Sequence, residues 1–485
     1  MTSSLDPDCS KPPWRSLTVA MRCRVISEVA FHITEAAQEL SQASLSDQRT
    51  DVVDTLTAEI LPLCSALKFI GNRGPKLLKS RRLGSGGRPV WLWGVHSEVT
   101  REPFGRVLVL GAWNYPLLLA GVQTAQALAA GNSVLLKPPV GCESITAMMV
   151  ESFYRAGVPR HALEQIESST QTATRTIDAG VDLIVLTGAA ETGRKVLRQA
   201  ADSLTPAIME LSGCDAAIVL NQDASALTHT AKAIAFGLTL NSGATCIAPR
   251  RLLVDQQIAD DLLGQLEQQI AGANVMIVHE AARDAAADLI ESSIAEGAVV
   301  QGDPFDADTL RSTGRMKPLI LDQVQSHAPI AAADLFAPVT SMIRVADSQE
   351  AVSIVNQCPY RLAASVFGPN DQAEQVACQL SVGSVSINDV VVPTADPRVP
   401  FGGRGQSGFG VTRGAEGLLA MTVPKVTSRR RGRFAPHLIP REKLGQRTLF
   451  GALQFLHAKS FGRITGLRRM IGAARNPENK TDESP

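Results

Sequence analysis

Two reactive side chains near the middle of the chain could support covalent catalysis. Cys246 lies in NSGATCIAPR, between a helical stretch that ends near Leu240 and the strand-like segment RRLLV. Gly243 and Pro249 bracket it, which places it on a turn, although a single cysteine is more often inert than catalytic. Glu210 ends the stretch TPAIME and could be a partly buried general base, or an ordinary helix-end or salt-bridging carboxylate. A cysteine nucleophile is the chemistry that these residues favour.

Three upstream positions could bind an anion or a developing charge. Lys137 closes the apolar run SVLLK and could reach a cofactor ribose or remain a solvated strand end. Asn114 in WNYP could donate its amide to an oxyanion or cap the helix that follows. Gly188 ends a strand and opens a helix in GAAETGRK, where free backbone amides favour an anion. Arg194 and Lys195 replace the Lys and the Ser or Thr of a P-loop, so ATP hydrolysis is not expected.

Other catalytic motifs are absent or lack their structural context. GRGQSG at 403–408 matches a dinucleotide fingerprint in its letters, but no apolar strand precedes it, so we interpret it as a glycine-rich turn. The eight histidines show no HExxH or other close pairing, and there is no GxSxG elbow. No two of the eight cysteines are spaced as CxxC, which argues against a thiolate zinc site, and their low density indicates a reducing compartment.

The composition is that of an ordinary soluble globular protein. The 485 residues are 45% hydrophobic and 19% charged, and 47 basic residues balance 47 acidic ones. Zero net charge argues against a surface built for nucleic acid. The N-terminal MTSSLDPDCSKPPW lacks a secretory signal, and the longest apolar stretch, 107–122, is interrupted and falls short of the ~20 residues of a membrane span. We therefore predict a cytoplasmic protein.

The spacing of apolar residues predicts helices first and then alternating strands and helices. Between 17 and 70, apolar residues recur every three or four positions, which predicts two helices, the second of them kinked at Pro62. From Arg106 onward, RVLVLGA, SVLLKP and DLIVLTG predict strands separated by helices. After Glu210 the strand-like segments are AAIVL, RLLV, NVMIV, AVVQG, KPLIL and LAASVFG. Such runs are typical of parallel sheets buried on both faces, so we predict an α/β fold with a boundary near 211–215.

The C-terminal segment differs from the rest of the chain in charge. Residues 425–475 contain 13 Lys or Arg and one acid, Glu442, which gives a net charge of +12. We favour a solvated, partly disordered tail, because its glycines weaken a helix. The alternative is a basic amphipathic segment on an acidic membrane surface or partner, with an apolar stripe formed by Leu449, Leu453 and Leu456.

Nine segments, in one order along the chain, resemble the aldehyde dehydrogenase superfamily. They are EPFGRVLVLGAWNYP, AAGNSVLLKP, LTGAAETG, MELSG, NSGATC, LFAPV, LAASVFG, GSVSIN and VPFGGRGQSGFG. WNYP, NSGATCIAP and SINDVVVP most resemble its class 3-like branch. The resemblance covers residues 98–425, is vague in the N-terminal helices and does not extend over the basic tail.

The resemblance implies two parallel-sheet α/β domains and a small β-hairpin oligomerisation element. The implied parts are a Rossmann-like cofactor-binding domain at 1–90 and 106–211, a catalytic domain at 212–417, the oligomerisation element at 91–105 and 418–428, and a basic C-terminal tail at 429–485. An exposed hairpin edge invites strand addition, so we expect a homodimer. The other expected partner is a small-molecule aldehyde. No nucleic acid partner is expected, and the tail could make a peripheral membrane contact.

The resemblance also implies NAD(P)-dependent oxidation of an aldehyde to a carboxylic acid. Cys246 would attack the carbonyl to give a thiohemiacetal, while Asn114 and the Cys246 backbone N–H would hold the oxyanion. Hydride would pass to the nicotinamide of NAD or NADP, and Glu210 would activate the water that hydrolyses the resulting thioester. The implied cofactor-binding residues are Ala112, Trp113, Lys137, Gly188, Gly193, Leu211, Asp334 and Phe336.

Several positions depart from the family pattern. Val140 replaces a frequent Glu that binds ribose hydroxyls and repels a 2′-phosphate, which leaves the choice between NAD and NADP open. Asp334 replaces the usual Glu and is one methylene shorter, and Ala189 replaces a frequent Ser. Ser212 and Ala337 stand where glycine is common. These departures concern affinity and cofactor preference more than the nucleophile or the base.

Two alternative functions remain open. One is a CoA-acylating aldehyde dehydrogenase, in which CoA takes the thioester; Glu210 argues against it, because no water-activating base is then needed. The other is a catalytically impaired, membrane-associated scaffold of the same fold, which the departures around the cofactor and the basic tail motivate.

Overall fold

The computed structural model describes residues 13–441 and 445–475. Cys9, with the rest of the N-terminal MTSSLDPDCSKP, and the end of the predicted tail at 476–485 lie outside the described residues. The seven cysteines within them are all free thiols. The chain divides into two compact units. The larger unit is Met1–Lys79 with Arg101–Pro424, and the smaller unit is Ser80–Thr100 with Lys425–Pro485.

Helices and strands alternate through most of the chain. The helices are α1 Val19–Glu35, α2 Ala37–Ala43, α3 Val52–Thr55, α4 Leu61–Leu77, α5 Leu118–Ala130, α6 Glu143–Arg155, α7 Thr170–Asp178, α8 Ala190–Asp202, α9 Ala224–Thr239, α10 Ala259–Ile270, α11 Glu280–Ala295, α12 Ala307–Thr313, α13 Ser348–Gln357, α14 Asn370–Ala377, α15 Gly414–Ala420, α16 Gln446–His457 and α17 Ser460–Arg475. The strands are β1 Arg81–Arg82, β2 Val95–Pro103, β3 Arg106–Leu110, β4 Ser133–Lys137, β5 Leu163–Gln165, β6 Leu183–Gly188, β7 Ala207–Leu211, β8 Ala216–Val219, β9 Arg251–Asp255, β10 Met276–Ile277, β11 Val299–Gln301, β12 Arg315–Met316, β13 Leu319–Asp322, β14 Val339–Val345, β15 Tyr360–Arg361, β16 Ala363–Phe367, β17 Ser384–Ile387, β18 Arg404–Gly405, β19 Gly408–Phe409 and β20 Thr422–Arg430.

A six-stranded sheet of order β19-β7-β6-β3-β4-β5 forms the first core. Strands β3 to β7 run parallel to one another, and β19 pairs antiparallel with β7. Strand β3 is apolar after Arg106 because each face is covered: Val107 and Val109 pack on one side and Leu108 on the other. The strand order reverses between the neighbouring strands β3 and β6, which is the switch point at which doubly wound sheets bind ligands.

A seven-stranded sheet of order β11-β13-β14-β9-β8-β16-β17 forms the second core. All neighbours are parallel except β11 and β13. Helices α9 and α10 cover one face and α11, α13 and α14 the other, so apolar residues of β9 face both ways: Leu252 and Val254 to one side and Leu253 to the other. The two parallel-rich sheets confirm the predicted α/β fold class.

The N-terminal helices α1 and α4 pack on each other and on α5, as their apolar spacing predicts. The predicted kink at Pro62 takes the form of a π-helical turn at Leu56–Ile60, and α4 begins immediately after it. Pro62 stands in the first turn of α4, where its missing N–H is tolerated. A π-turn widens the backbone just where proline removes a hydrogen bond.

The smaller unit contains a three-stranded sheet of order β1-β2-β20 and the helices α16 and α17. Strand β2 lies within the predicted oligomerisation segment 91–105, and β20 overlaps the predicted segment 418–428 and extends two residues past it. For residues 445–475, the structure corrects the preferred prediction of a partly disordered tail, because two helices form there. Their glycines permit a close helix contact that compensates for low helix propensity. Within the described residues, no helix is both long and apolar enough to cross a membrane.

Candidate active site

A cleft of 660 Å³ lies at the carboxyl ends of β3, β4, β6 and β7. Residues of the first sheet reach the cleft from the carboxyl ends of its parallel strands, whereas Cys246, Asp334 and Leu362 reach it from segments that precede β9, β14 and β16 of the second sheet. The predicted site residues that line this cleft are Ala112, Trp113, Asn114, Lys137, Gly188, Glu210, Leu211, Cys246, Asp334 and Phe336. The cleft thus brings together every predicted site residue except Gly193.

Gly193 lies on α8 and does not line the cleft. A Cβ added at Gly193 would lie 2.8 Å from Leu211 Cδ1, so the glycine allows α8 to pack closely on the end of β7. Its contribution to the site is therefore the position of α8. The first turn of α8, with the preceding Gly188, forms the wall of the cleft.

The turn that carries Cys246 begins with left-handed backbone. Asn241 and Ser242 have φ values of 52° and 54°, and Gly243 follows with φ of 76°. A Cβ on Gly243 would lie 2.5 Å from the carbonyl carbon of Ala337 and from Pro338 N, so only glycine fits there. Contacts with the surrounding residues therefore hold this turn in an unfavourable backbone conformation, as is common at functional sites.

Arg250 stabilises the same turn through hydrogen bonds to its backbone. Its guanidinium is buried and donates to Ala337 O at 2.8 Å, to Gly243 O at 2.6 Å and to Thr245 O at 3.1 Å. Burial lowers the pKa of Arg250, although nearby acids such as Asp334 oppose the effect. The backbone carbonyls that Arg250 binds stabilise its buried positive charge. The turn is therefore held in place without a paired carboxylate.

The surroundings of the Cys246 thiol disfavour its ionised form. Burial raises the pKa of Cys246 above its usual range, and the charges of Glu210 and Asp215 raise it further. A thiol is a strong nucleophile only as the thiolate. A base or a positive charge close to the sulfur would therefore assist its attack.

Glu210 lies on β7, beside the glycine-rich turn at 403–408. The sequence of that turn matches a dinucleotide fingerprint in its letters only. The short strand β19 in this turn pairs Gly408 with Glu210. Thr412 Oγ1 donates to Glu210 Oε2 at 3.0 Å, while Glu210 Oε1 is buried without a hydrogen-bond partner. Burial raises the pKa of Glu210, and Arg413 and Thr412 oppose this shift. A carboxyl of this kind exchanges protons closer to neutral pH than an exposed one.

Asn114 and Trp113 join the two halves of the cleft. Asn114 Nδ2 donates to Ala244 O at 2.9 Å, which ties the loop after β3 to the Cys246 turn. Trp113 stacks on His279, the residue before α11, with ring centroids 4.3 Å apart. The sequence offered no signal for His279, because an isolated histidine ahead of a helix has no distinctive neighbours.

A buried arginine, Arg49, lies behind the Asn114 loop and was not predicted. Its guanidinium forms an ion pair with Glu59 and donates to Asn114 O at 2.8 Å, to Asn241 Oδ1 at 3.2 Å and to Thr55 Oγ1 at 3.2 Å. It thus contacts both the oxyanion-side loop and the first residue of the left-handed turn.

Glu59 extends this contact to the start of α5. Its Oε2 accepts hydrogen bonds from Leu117 N at 2.7 Å and Leu118 N at 3.1 Å. Glu59 is completely buried, next to Ile60 on the apolar side of the helical segment. An acid beside core positions was a sequence signal that could have indicated a buried partner.

Two of the departures from the family pattern touch each other. Ser212 Oγ donates a short hydrogen bond to Asp334 Oδ2, whereas Asp334 Oδ1 is buried without a partner. Burial raises the pKa of Asp334, and the Ser212 hydrogen bond opposes that shift. The serine hydroxyl therefore fixes the shorter carboxylate at the cleft wall.

The cleft suits a dinucleotide. No side chain caps the start of α8 at Ala189, so its first backbone amides can bind a pyrophosphate. Lys137 lies at another wall of the cleft, where its Nζ donates to Pro138 O at 3.1 Å. Partial burial lowers the pKa of Lys137. Val140 lines the same cleft and is 74% exposed. Among residues 13–441 and 445–475, no group of acids, histidines and cysteines could hold a metal ion.

The switch-point cleft and the doubly covered parallel sheets define an α/β enzyme of the dinucleotide-dependent class. The sequence places it more narrowly, because the family model described as the aldehyde dehydrogenase family matches residues 8–427. The chain belongs to the aldehyde dehydrogenase family. This membership confirms the predicted superfamily and the predicted activity, NAD(P)-dependent oxidation of an aldehyde.

Individual relatives agree with this assignment. A 4,4′-diapolycopene aldehyde oxidase of Methylomonas sp is 29% identical over 92% of this chain and 85% of its own length. An NADP-dependent glyceraldehyde-3-phosphate dehydrogenase from Bacillus halodurans C-125, solved with NADP, has a TM-score of 0.77 at 26% identity and covers 86% of this chain and 88% of its own. A Mycobacterium tuberculosis aldehyde dehydrogenase solved with NAD+ has a TM-score of 0.77 at 25% identity, with coverages of 86% and 87%. The predicted cofactor, NAD or NADP, is confirmed.

Proposed function

We propose that Cys246 is the nucleophile, Asn114 the oxyanion donor and Glu210 the general base of this aldehyde dehydrogenase. The proposal depends on one observation: all three residues line the same cleft. Cys246 reaches it from a turn, Asn114 from the loop after β3 and Glu210 from strand β7. The unpartnered Oε1 of Glu210 adds support, because a buried carboxylate oxygen without a partner is available to a water molecule.

The proposed reaction divides between addition and hydrolysis. A water molecule takes the proton of the Cys246 thiol, and the sulfur attacks the aldehyde carbon to give a thiohemiacetal whose oxyanion Asn114 and the Cys246 backbone N–H stabilise. NAD or NADP would supply the acceptor for the hydride of that carbon, and Cys246 would then hold an acyl thioester. Glu210 then takes a proton from water as the oxygen attacks the thioester, and the sulfur leaves as the carboxylic acid is released.

Most of the residues proposed to hold the cofactor lie next to the first sheet, and Asp334 and Phe336 come from the segment before β14 of the second sheet. The amides at the start of α8, after Gly188, suit the pyrophosphate, and Lys137 suits the adenosine ribose. Ala112, Trp113, Leu211, Asp334 and Phe336 suit the nicotinamide half. Val140 gives this wall no carboxylate, so we propose that the site accepts NADP as well as NAD.

Variants at the nucleophile and the base test the assignment. Cys246→Ala should abolish aldehyde oxidation, and Glu210→Gln should still give one burst of reduced cofactor but turn over at least about 100-fold more slowly. Full steady-state activity of Cys246→Ala would remove the proposal. Equal turnover with and without CoA is expected, and an acceleration by CoA would favour the acyl-transferring alternative. Loss of NAD and NADP binding in fluorescence titrations would instead favour the scaffold alternative.

We propose a long, apolar aldehyde as the substrate. The Methylomonas relative is named 4,4′-diapolycopene aldehyde oxidase, and the class 3-like branch that this chain resembles takes medium or long aliphatic and aromatic aldehydes. A panel of aldehydes of increasing chain length, followed by cofactor reduction, should show kcat/KM that rises with length. A preference for short polar aldehydes would contradict this assignment.

We propose a cytoplasmic homodimer with a peripheral membrane contact through the basic tail. Strand β20 is an edge of its sheet, and its residues Val423–Arg429 are exposed, so this edge can add a strand from a second copy. Light scattering should give twice the chain mass, and Val426→Pro should yield a monomer. The predicted domain boundaries, given above, stay part of this proposal.

A further inference from the structure

Two buried cysteines outside the proposed catalytic groups lie against each other. Cys214 lies on the segment between β7 and β8, and Cys358 lies between α13 and β15. Cys214 is completely buried, whereas Cys358 keeps 4% of its surface exposed. The one proton of the Cys214 thiol has two acceptors within reach, which are Ala331 O at 3.6 Å and the Cys358 sulfur. The two thiols are therefore in contact although they lie far apart in the chain.

Hydrogen bonds between the two segments hold the cysteines together. Asp215, the residue after Cys214, accepts a hydrogen bond from Ala363 N at 3.0 Å on its Oδ1. Ser407 Oγ bridges the same segments, because it donates to Ser212 O at 3.0 Å and accepts from Arg361 N at 3.0 Å. A disulfide tolerates little displacement of its two backbones, so a fixed approach of this kind favours its formation.

The two thiols differ in acidity. The hydrogen bond from Cys214 lowers the pKa of Cys358, and the charge of Arg251 and the backbone of Tyr360 lower it further, while burial opposes the shift. The same hydrogen bond, together with burial, raises the pKa of Cys214. Cys358 is therefore the better nucleophile of the two, and Cys214 keeps the proton. An acidic cysteine next to a second thiol is the arrangement that peroxides oxidise selectively.

We propose that Cys358 and Cys214 are a site of oxidative modification, which forms a disulfide when a hydroperoxide reaches the pair. The Cys358 thiolate attacks one peroxide oxygen, the O–O bond breaks, and the other oxygen leaves as hydroxide, which makes Cys358 a sulfenic acid. The Cys214 sulfur then attacks the Cys358 sulfur, the S–O bond breaks, and the Cys214 proton leaves with that oxygen as water. The two sulfurs lose two electrons, and the peroxide gains them.

The disulfide acts on the cofactor cleft through Ser212 and Asp334. Ser212 lies two residues before Cys214 and donates to Asp334 Oδ2, while Ala331 lies three residues before Asp334. Oxidation removes the proton that Cys214 donates to Ala331 O, so both sides of the Ser212–Asp334 contact lose a restraint. This step rests on the proposed role of Asp334 in holding the cofactor. We expect NAD to bind about fivefold more weakly, as for the loss of one hydrogen bond.

Peptide mapping after peroxide treatment tests the pairing. The full-length wild type is treated with hydrogen peroxide, free thiols are blocked with N-ethylmaleimide, and digests with and without dithiothreitol are compared by mass spectrometry. Two peptides joined through Cys214 and Cys358 should appear and should separate on reduction. In Cys214→Ser, dimedone should instead label Cys358 as the sulfenic acid. Cys378→Ser removes an exposed thiol and should give the same joined peptides as the wild type.

Fluorescence titration with NAD measures the effect on the cleft. Cys246→Ala is the background, so that oxidation of the proposed nucleophile does not contribute. Peroxide should weaken NAD binding about fivefold in this background, and dithiothreitol should restore it. Adding Cys358→Ser should abolish the response, whereas adding Cys378→Ser should leave it. An unchanged circular dichroism signal shows that each variant is folded.

The outcomes separate the thiol pair from the proposed cofactor residues. If the joined peptides are absent although Cys246 is oxidised, the thiol pair is wrong, whatever the titration gives. If the peptides form but NAD binding does not change, the effect on the cleft is wrong. A response that persists with Cys358→Ser would assign it to another thiol. If untreated Cys246→Ala binds no NAD, the proposed cofactor site fails, and peptide mapping still decides the thiol pair.

Discussion

Glu59→Gln should impair aldehyde oxidation although Glu59 does not line the cleft. The substitution keeps the shape of the side chain but removes the charge that pairs with Arg49. Arg49 then remains buried without a counter-ion, and it is the group that holds Asn114 O and Asn241 Oδ1. The perturbation therefore reaches the oxyanion side and the nucleophile turn together.

The expected size follows from burial. Glu59 is fully buried and accepts hydrogen bonds from Arg49, Leu117 and Leu118. Breaking a buried ion pair by neutralising one partner costs about 3–5 kcal/mol. That is a large part of a typical domain stability of about 5–15 kcal/mol. A shift of ~1 Å at Asn114 would lower kcat about 100-fold, because catalytic groups tolerate little displacement.

Urea unfolding and steady-state kinetics measure the two effects separately. Glu35→Gln is the matched control, because Glu35 forms an exposed ion pair with Arg155 at 2.8 Å, and such pairs contribute only about 0–1 kcal/mol. We expect Glu59→Gln to lower kcat while the KM for NAD changes little, and Glu35→Gln to leave both unchanged. If the fall in kcat disappears once the unfolded fraction is subtracted, the network is structural only. A wild-type kcat and unfolding midpoint for Glu59→Gln would refute the reasoning.

Three further variants have defined expectations. Gly243→Ala should abolish activity and lower the thermal midpoint, because its φ is 76° and its Cβ would meet Ala337 and Pro338; circular dichroism and kinetics check both. Val140→Glu should raise the KM for NADP at least about tenfold while sparing NAD, since a carboxylate repels a 2′-phosphate; wild-type KM for NADP would contradict this. Steady-state turnover should rise with pH through the raised pKa of Glu210, because the base must lose its proton, and Glu210→Gln should lose that dependence. A rising limb that persists in Glu210→Gln would assign it to another group.

The apolar runs in the sequence were sufficient to predict the alternation of strands and helices. They did not predict strands that contain buried polar residues. Strand β14, Val339–Val345, lies in the middle of the second sheet but was not predicted, because Thr340 and Ser341 interrupt its apolar pattern. Conversely, NVMIV predicted a full strand, whereas only Met276–Ile277 pair, with β12 and outside the large sheets. Tertiary burial, rather than local pattern, decides both cases.

The candidate site could be predicted to the extent that its residues lie in short, ordered segments with distinctive letters. Cys246, Asn114 and Glu210 lie at strand ends or on a turn, and the topology brings such positions to one edge. Arg49 and Glu59 lie in helical sequence far from those segments. Their contacts span 65 residues to Asn114 and 192 to Asn241, which no local pattern encodes.

Ser212 and Asp334 show why departures from a family pattern should be weighed in pairs. Each one alone indicated a weaker cofactor site: an added side chain where glycine is common, and a carboxylate one methylene shorter. The structure joins them by a hydrogen bond, so the serine hydroxyl fixes the position of the shorter acid. Two substitutions in contact are expected to be non-additive. The pair therefore argues for an altered but intact wall of the cofactor cleft, and against reading the two positions as independent losses of function.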